Sequence, residues 1–499
     1  MLSINVVEGE IEKYQADVIV VNLFEGVKNP GGATGVVNNA LDNVISDLIQ
    51  DGEFSGKRGE NLLLHTFDKL PSKRVLVVGL GKSEYFSPQI VRDITASSSR
   101  YLKGLGVKKI ASIAHGVGIG GQEAESCAEE IAQGILIGLY RFDQFVKKSE
   151  ISLNEFIIVE KDSSKINSLQ IGIDRGRAIA QGIILARDLV NTPGNHMTPK
   201  ILSEHAQEMA EKNSLNIEIL NEQECSEMSM GAFLSVSRGS EEEAKFITIQ
   251  YIGNSNKSSY DLALIGKSVT FDTGGISLKP AADMGRMKSD MAGGASVLGA
   301  MSSIALIKPK INILAILPAT ENMPGSRATK PGDVVISMNG KSIEVENTDA
   351  EGRLTLADAI IYAIDKDSEK IIDVATLTGA MHIALGNVRG GLFGNDQSLI
   401  DSVIHASVQA GEKLWQMPMD DDYKDFNRSD VADIKNSGGR LAGGITAAHF
   451  IGEFANEIPW VHIDIAGMAM TEKDSGYFTK GATGFLVRTL VKMSMSMDN

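Results

Sequence analysis

The sequence predicts an α/β protein: a smaller N-terminal α/β domain over residues 1–168, then a larger α/β domain over residues 169–499 with a mostly parallel central sheet. Two patterns carry this reading. Short β-branched runs end in glycine-rich or polar loops, and stretches with helical apolar spacing separate them, which is the alternation that places helices on both faces of a parallel sheet. Length adds a third constraint, because 499 residues exceed what one hydrophobic core usually holds.

Residues 16–22 and 74–81 read as buried strands. Between them Gly31-Gly32-Ala33-Thr34-Gly35 leads into an apolar-periodic stretch, residues 36–48, that predicts a helix. A glycine loop after a strand can cradle a phosphate, but a connecting turn is the simpler reading. The polar segment 160–165 marks a domain boundary, and a helix over residues 171–190 enters the second domain. There, strands are expected at 262–265, 311–317, 371–375 and 461–465, with helices at 292–307, 354–365 and 400–411. Asn339-Gly340, between residues 334–336 and 342–345, predicts a hairpin.

A net charge of -16 argues against a nucleic-acid scaffold or a binder of anionic membranes as the main role. It leaves room for a local basic patch, but the pairs Lys108-Lys109 and Lys147-Lys148 read as solvated faces, so nucleic acid is not indicated as a partner. With only Cys127 and Cys225, neither a disulfide framework nor a thiolate metal site is expected, which favours a reducing compartment. Glu8, Glu10 and Glu12 precede the first long apolar run, the run 18–21 is too short for a signal-peptide core, and no stretch reads as membrane-spanning. The expectation is a soluble, cytoplasmic protein.

The most informative stretch is Glu346-Asn347-Thr348-Asp349-Ala350-Glu351-Gly352-Arg353-Leu354. In an extended backbone, alternate residues share a face, so Asp349, Glu351 and Arg353 would enter one small volume. Two adjacent acids repel unless a cation neutralises them, and a divalent metal is the natural candidate. A second cluster lies upstream: Lys267, Asp272, the pair Gly274-Gly275 and Lys279, followed by Asp290. Lys267 and Asp272 are an odd number apart, so their convergence needs a bend. Together the clusters offer four carboxylates and two lysines at strand ends, where ligands collect in open α/β sheets, enough for a two-metal centre. The histidines follow no ligand spacing. There is no H-E-x-x-H, and His462, inside an apolar strand, reads as a hydrogen-bonded structural imidazole.

The blocks GKSVTFDTGG, KSDM and NTDAEGRL, with ARDLVNTPGN, ENMPGSRATKPGDVV, DVATLTGA and HIDIAG, together resemble the leucyl aminopeptidase (cytosol aminopeptidase) family from about Ala186 to the C-terminus. One departure is Ser268, where the family often has glycine after the metal-binding lysine. The resemblance implies an aminopeptidase that removes unblocked N-terminal residues, leucine and similar residues preferred, through a hydroxide bridging two divalent ions, Mn or Zn. It implies that Lys267, Asp272, Asp290 and Glu351 hold the tighter ion and that Asp272, Asp349 and Glu351 hold the more exchangeable one. Lys279 is implied as the donor to the tetrahedral oxyanion, and Arg353 as the holder of a bicarbonate that relays a proton. The implied substrate pocket is Met287, Thr376, Gly379 and Ala466, with the backbone of Leu377, and with Ala469 where a larger Met can occur. Peptide substrates and a homohexamer built as a dimer of trimers are the implied partners. Two other readings share the scaffold or the metals: a nucleic-acid-binding or regulatory protein, and a two-metal phosphoesterase, which would need phosphate-clamping cations beyond Lys279 and Arg353.

Overall fold

The computed structural model describes residues 2–146 and 153–498, so Lys147 and Lys148 lie outside the described residues. Two compact units divide the chain: Met1–Ala180 with Lys473–Thr479, and Gln181–Glu472 with Lys480–Asn499. The helix Ile166–Asn191 carries the chain from one to the other.

In the first unit, six strands run in the order Ser3–Glu8, Glu155–Glu160, Lys109–Ser112, Val18–Leu23, Arg74–Gly79, Asn61–His65. Neighbours are parallel except the edge strand Asn61–His65, which is antiparallel. Val18, Val20, Leu76 and Val78 pack with the helices Pro88–Gly104 and Ala124–Gly138, while Ile19, Val21, Val75 and Val77 pack with Val37, Leu41 and Ile45. Both faces are therefore buried, which is why these strands read as unbroken apolar runs. The single helix expected over residues 36–48 is instead two, Gly32–Ala40 and Val44–Gln50. Asp42 and Asn43 break it with left-handed backbone, φ 54 and 69, which Asp and Asn tolerate better than most residues. The Asn38 side chain bridges the break, donating to Ser46 Oγ at 2.8 Å and accepting from its backbone N–H at 3.1 Å. The glycine run begins the helix Gly32–Ala40, and Thr34 Oγ1 donates to the Asn22 carbonyl at 2.6 Å. At Lys108 and Lys109 both backbone N–H groups donate to Asp17, and the Lys109 ammonium lies 3.3 Å from Glu155, while Lys108 is exposed.

The sheet of the second unit runs Leu414–Gln416, Gly390–Gly394, Trp460–Asp464, Ile371–Ala375, Leu262–Gly266, Asn312–Asn322, Lys245–Ile252, Asn216–Leu220. The four strands from Trp460–Asp464 to Asn312–Asn322 are mutually parallel, and antiparallel pairings begin on either side of them. Ala263, Ile265, Leu314, Ile316 and Ile371 pack with the helices Gly352–Asp365 and Gly443–Gly452. Ala292–Ile307 and Val487–Ser496 pack together. The expected hairpin forms between Asp333–Ile336 and Ser342–Val345, with Gly340 at φ 85 in its turn. One stretch, Met284–Ile307, does have the length and composition of a membrane span, contrary to the sequence reading. Its apolar window is 83% buried, which makes it a core segment of this unit.

Candidate metal centre

The strand Leu262–Gly266 stops at Lys267, and Ser268–Asp272 resumes along Asn312–Asn322 with a register shift between Val269 and Phe271. This irregularity supplies the bend that the odd spacing of Lys267 and Asp272 demanded. Asp290 arrives from the 3-10 segment Met284–Met291, just before Ala292–Ile307. Buried oxygens of Asp272, Asp290 and Glu351 lie within 4.8 Å of one another. Lys267 Nζ sits 2.6 Å from Asp290 and 2.7 Å from Glu351, and Lys279 Nζ sits 2.7 Å from Asp272 and also pairs with Asp349.

Glycines make this convergence possible at two places. Gly274 has φ 88, and a Cβ there would lie 2.5 Å from the Ser277 carbonyl and 2.7 Å from Asp349 Oδ1. At Gly352 a Cβ would lie 2.5 Å from Lys267 Cε, so any larger residue at the start of Gly352–Asp365 would displace the end of the lysine side chain. Ser268, the departure from the family pattern, is accommodated locally. Its hydroxyl donates to the Gly266 carbonyl at 2.9 Å and lies against Gly294, where a Cβ would come within 2.0 Å of it.

The path by which Asp349, Glu351 and Arg353 reach the site differs from the alternation expected of extended backbone. Glu351 has φ -77 and ψ -35 and stands at the N-cap of Gly352–Asp365, so a turn running into a helix aims these side chains. Arg353 is buried, and Nη1 donates to the Asn436 carbonyl at 2.6 Å while Nε has no hydrogen-bond partner.

Burial opposes charge on Lys267, yet the carboxylates of Asp290, Glu351 and Asp272 hold its ammonium above the ordinary lysine range. Burial pushes Asp290 well above the usual carboxylate range, whereas the two lysines outweigh burial at Glu351 and hold it low. Burial and the neighbouring charges of Asp272 and Glu351 raise Asp349 to about 6, against the pull of Lys279. Burial lowers Arg353 to about 10. Four carboxylates crowd around two ammonium groups, and burial and mutual repulsion raise Asp272, Asp290 and Asp349, a strain that a bound cation would relieve. Glu351 Oε2 is buried with no hydrogen-bond partner, and such an atom fits a metal ligand better than a structural carboxylate. The all-oxygen set with one amine suits Mn, Mg or Zn. The partnerless Nε of Arg353 likewise fits a small planar anion such as bicarbonate.

Of the residues expected to line a substrate pocket, Thr376 joins the cluster directly. Its hydroxyl donates to Asp290 Oδ1 at 2.7 Å, and its carbonyl accepts from Lys267 Nζ at 3.1 Å. The N–H groups of Leu377 and Ala466 both donate to Asp464 Oδ1, at 3.2 and 3.0 Å. Gly379 opens the helix Gly379–Leu385, Met287 lies on the segment that delivers Asp290, and Ala469 is buried. His462 is not part of the cluster of Asp272, Asp290 and Glu351: it is fully buried, 2.6 Å from Asp373 and stacked with Phe393 and Trp460. Sequence reasoning passed over several residues that hold the site together. Asn322 Nδ2 donates to Asp272 Oδ1 at 2.8 Å and to the Thr348 carbonyl at 3.0 Å, and Thr348 Oγ1 donates to the Gly274 carbonyl at 2.7 Å. Asn436 Nδ2 donates to the carbonyls of Asn347 and Ala350. Each sits far along the chain from its partner, with no spacing signal to mark it.

Residues 184–491 match the model of the cytosol aminopeptidase family, catalytic domain, and residues 20–149 match that family's N-terminal domain. A probable cytosol aminopeptidase of Alkaliphilus metalliredigens is 41% identical over 501 residues, covering 100% of both chains. Another, from Solibacter usitatus, is 42% identical over 487 residues, covering 98% of this chain and 97% of that protein. Among solved structures, a single-substitution mutant of tomato leucine aminopeptidase superposes with a TM-score of 0.88 at 33% identity, covering 99% of this chain and 97% of the other. The bottromycin maturation enzyme BotP in complex with Mn gives 0.86 at 31% identity, covering 97% of this chain and 100% of that one. Matched in both domains and along its whole length, the chain belongs to the cytosol aminopeptidase family and is a peptidase.

Proposed function

We propose that the chain is a two-metal leucyl aminopeptidase, releasing unblocked N-terminal residues from peptides and preferring leucine and residues like it. The observation that carries this is the set of three buried carboxylates whose oxygens lie within 4.8 Å of one another, with Glu351 Oε2 lacking a partner. Lys267, Asp272, Asp290 and Glu351 would hold one divalent ion, and Asp272, Asp349 and Glu351 would hold a second, more exchangeable one. Asp349 is 32% exposed at its side chain where Glu351 is 3% exposed, in keeping with a more accessible second position. Either Mn or Zn would suit these positions, and one structural neighbour is solved in complex with Mn. The chemistry divalent ions would supply there is Lewis-acid polarisation of the scissile carbonyl and acidification of water toward a pKa of roughly 7.

The remaining work falls to the chain's own groups. Lys279, whose ammonium is held charged by Asp272, Glu351 and Asp349 against burial, donates to the oxygen that becomes negative as the carbonyl is attacked. Arg353 would bind bicarbonate through Nε, which has no hydrogen-bond partner, and so place a proton carrier beside the reacting water. Thr376, Gly379, Ala466 and Met287 enclose the leucine-like side chain, and the backbone of Leu377 aligns the peptide. Ala469, smaller than the Met that can occur there, widens the pocket. A reducing compartment such as the cytoplasm suits the two free, buried cysteines, and recovery of the protein from a secreted fraction would count against it.

Substrate blocking tests this reading. Leucyl peptides should be hydrolysed with Mn or Zn present, their N-acetyl forms should resist by orders of magnitude, and a phosphate ester should be untouched. Acetylation delocalises the amine lone pair and adds bulk where the carboxylates converge. Equal cleavage of free and acetylated peptides would defeat the binding mode, and phosphate-ester turnover would favour the phosphoesterase.

The assembly belongs to the same proposal: a homohexamer arranged as a dimer of trimers, closed symmetry being the norm for such oligomers. Light scattering should return six chain masses. A stable and fully active monomer would overturn it.

A further inference from the structure

We propose that Asp464 is the positioning residue that holds the substrate-contacting turn 376–379 in register with the carboxylate cluster and so sets side-chain selectivity. This rests on the aminopeptidase reading of that cluster.

Asp464 ends the strand Trp460–Asp464, opposite Ala375 of Ile371–Ala375, and is 1% exposed. Its carboxylate collects three donors from two chain segments. Oδ1 accepts from the N–H groups of Leu377 at 3.2 Å and Ala466 at 3.0 Å, and Oδ2 accepts from Thr378 Oγ1 at 2.7 Å. The peptide plane joining Thr376 to Leu377 is thereby pinned at both ends: its carbonyl accepts from Lys267 Nζ at 3.1 Å and its N–H donates to Asp464. The following residue is held by its side chain: the Thr378 hydroxyl, besides donating to Asp464, accepts from the Met381 N–H at 3.2 Å and caps the helix Gly379–Leu385. One buried carboxylate thus ties Thr376, Leu377 and Ala466, on two different loops, to the group that pairs with Asp290 and Glu351. These side-chain hydrogen bonds go to the pocket walls rather than to the carboxylate cluster, so Asp464 acts by placing those walls.

The test uses the full-length, metal-loaded enzyme and the ratio of kcat/KM for a leucyl over a glycyl substrate. A variant that merely lost folded protein would lower both values together and leave the ratio alone. Asp464→Ala and Asp464→Asn should each lower the ratio about tenfold or more, the scale expected when an apolar pocket loses its fit, with metal content unchanged. Thr378→Val should lower it in the same direction, and Thr378→Ser, which restores the hydroxyl, should return it to the wild-type value. Faster hydrogen exchange at Leu377 and Ala466 in the Asp464 variants should accompany the change. If Asp464→Ala does not fold, the Thr378→Val and Thr378→Ser pair decides. A wild-type ratio in folded, metal-bound Asp464→Asn and Thr378→Val, beside an active wild-type enzyme, overturns this inference alone. A wild-type enzyme that cleaves no unblocked peptide overturns the reading of the site and this inference with it.

Discussion

Glu351→Ala should leave no measurable hydrolysis of leucyl peptides and at least one divalent ion fewer per chain by elemental analysis, with Asp272→Ala behaving alike. In the proposed site these two carboxylates are shared by both ions, so removing either strips a ligand from each. At Glu351, Oε1 lies 2.7 Å from Lys267 while Oε2 has no hydrogen-bond partner in the protein. Removing it also leaves Lys267 in direct ion pairing with Asp290 alone, and breaking a buried ion pair costs about 3–5 kcal/mol. Glu351→Gln keeps the shape and separates the two effects: it should stay folded and still lose metal and activity. Full metal content in an active Glu351→Ala enzyme would sink the assignment.

That Glu351 belongs to a cluster of buried charged side chains was legible because short-range patterns mark it: two acids and an arginine at alternate positions, directly before an apolar helical run. The convergence of these side chains was expected from extended backbone, whereas Glu351 has helical backbone and stands at the N-cap of Gly352–Asp365. The parallel strands were legible for a plainer reason. Strands buried on both faces must be apolar throughout, and residues 262–265 and 371–375 fall within or on the strands observed. What stayed hidden depends on partners distant in sequence. Nothing near Asp464 announces that it serves Leu377 and Thr378, and nothing near Asn322 announces Asp272 and Thr348. The register shift between Val269 and Phe271 could be demanded from the spacing of Lys267 and Asp272, but its position is set by pairing with Asn312–Asn322. The break at Asp42 and Asn43 was missed because apolar periodicity continues across it while the backbone does not.

Lys279→Ala should cut kcat about a hundred- to a thousandfold, the usual cost of losing one oxyanion donor, while both metals stay bound and KM changes little. The electrostatics set the sign of the metal effect. Lys279 places a positive charge 2.7 Å from Asp272 and beside Asp349, two of the carboxylates assigned to the exchangeable ion. Deleting that charge makes the position more negative, so the affinity for a divalent cation there should hold or rise. Arg353→Ala should also keep its metals, and its loss should fall in the proton-transfer step, about a hundredfold at the low end for a displaced acid or base. The two variants should differ in one further respect. Added bicarbonate should raise the rate of the wild-type and Lys279→Ala enzymes, and should do nothing for Arg353→Ala, whose binding fork is gone. Loss of metal from Lys279→Ala would make that lysine a determinant of coordination, and an Arg353→Ala enzyme still stimulated by bicarbonate would leave the Arg353 side chain with a structural role through its bond to the Asn436 carbonyl.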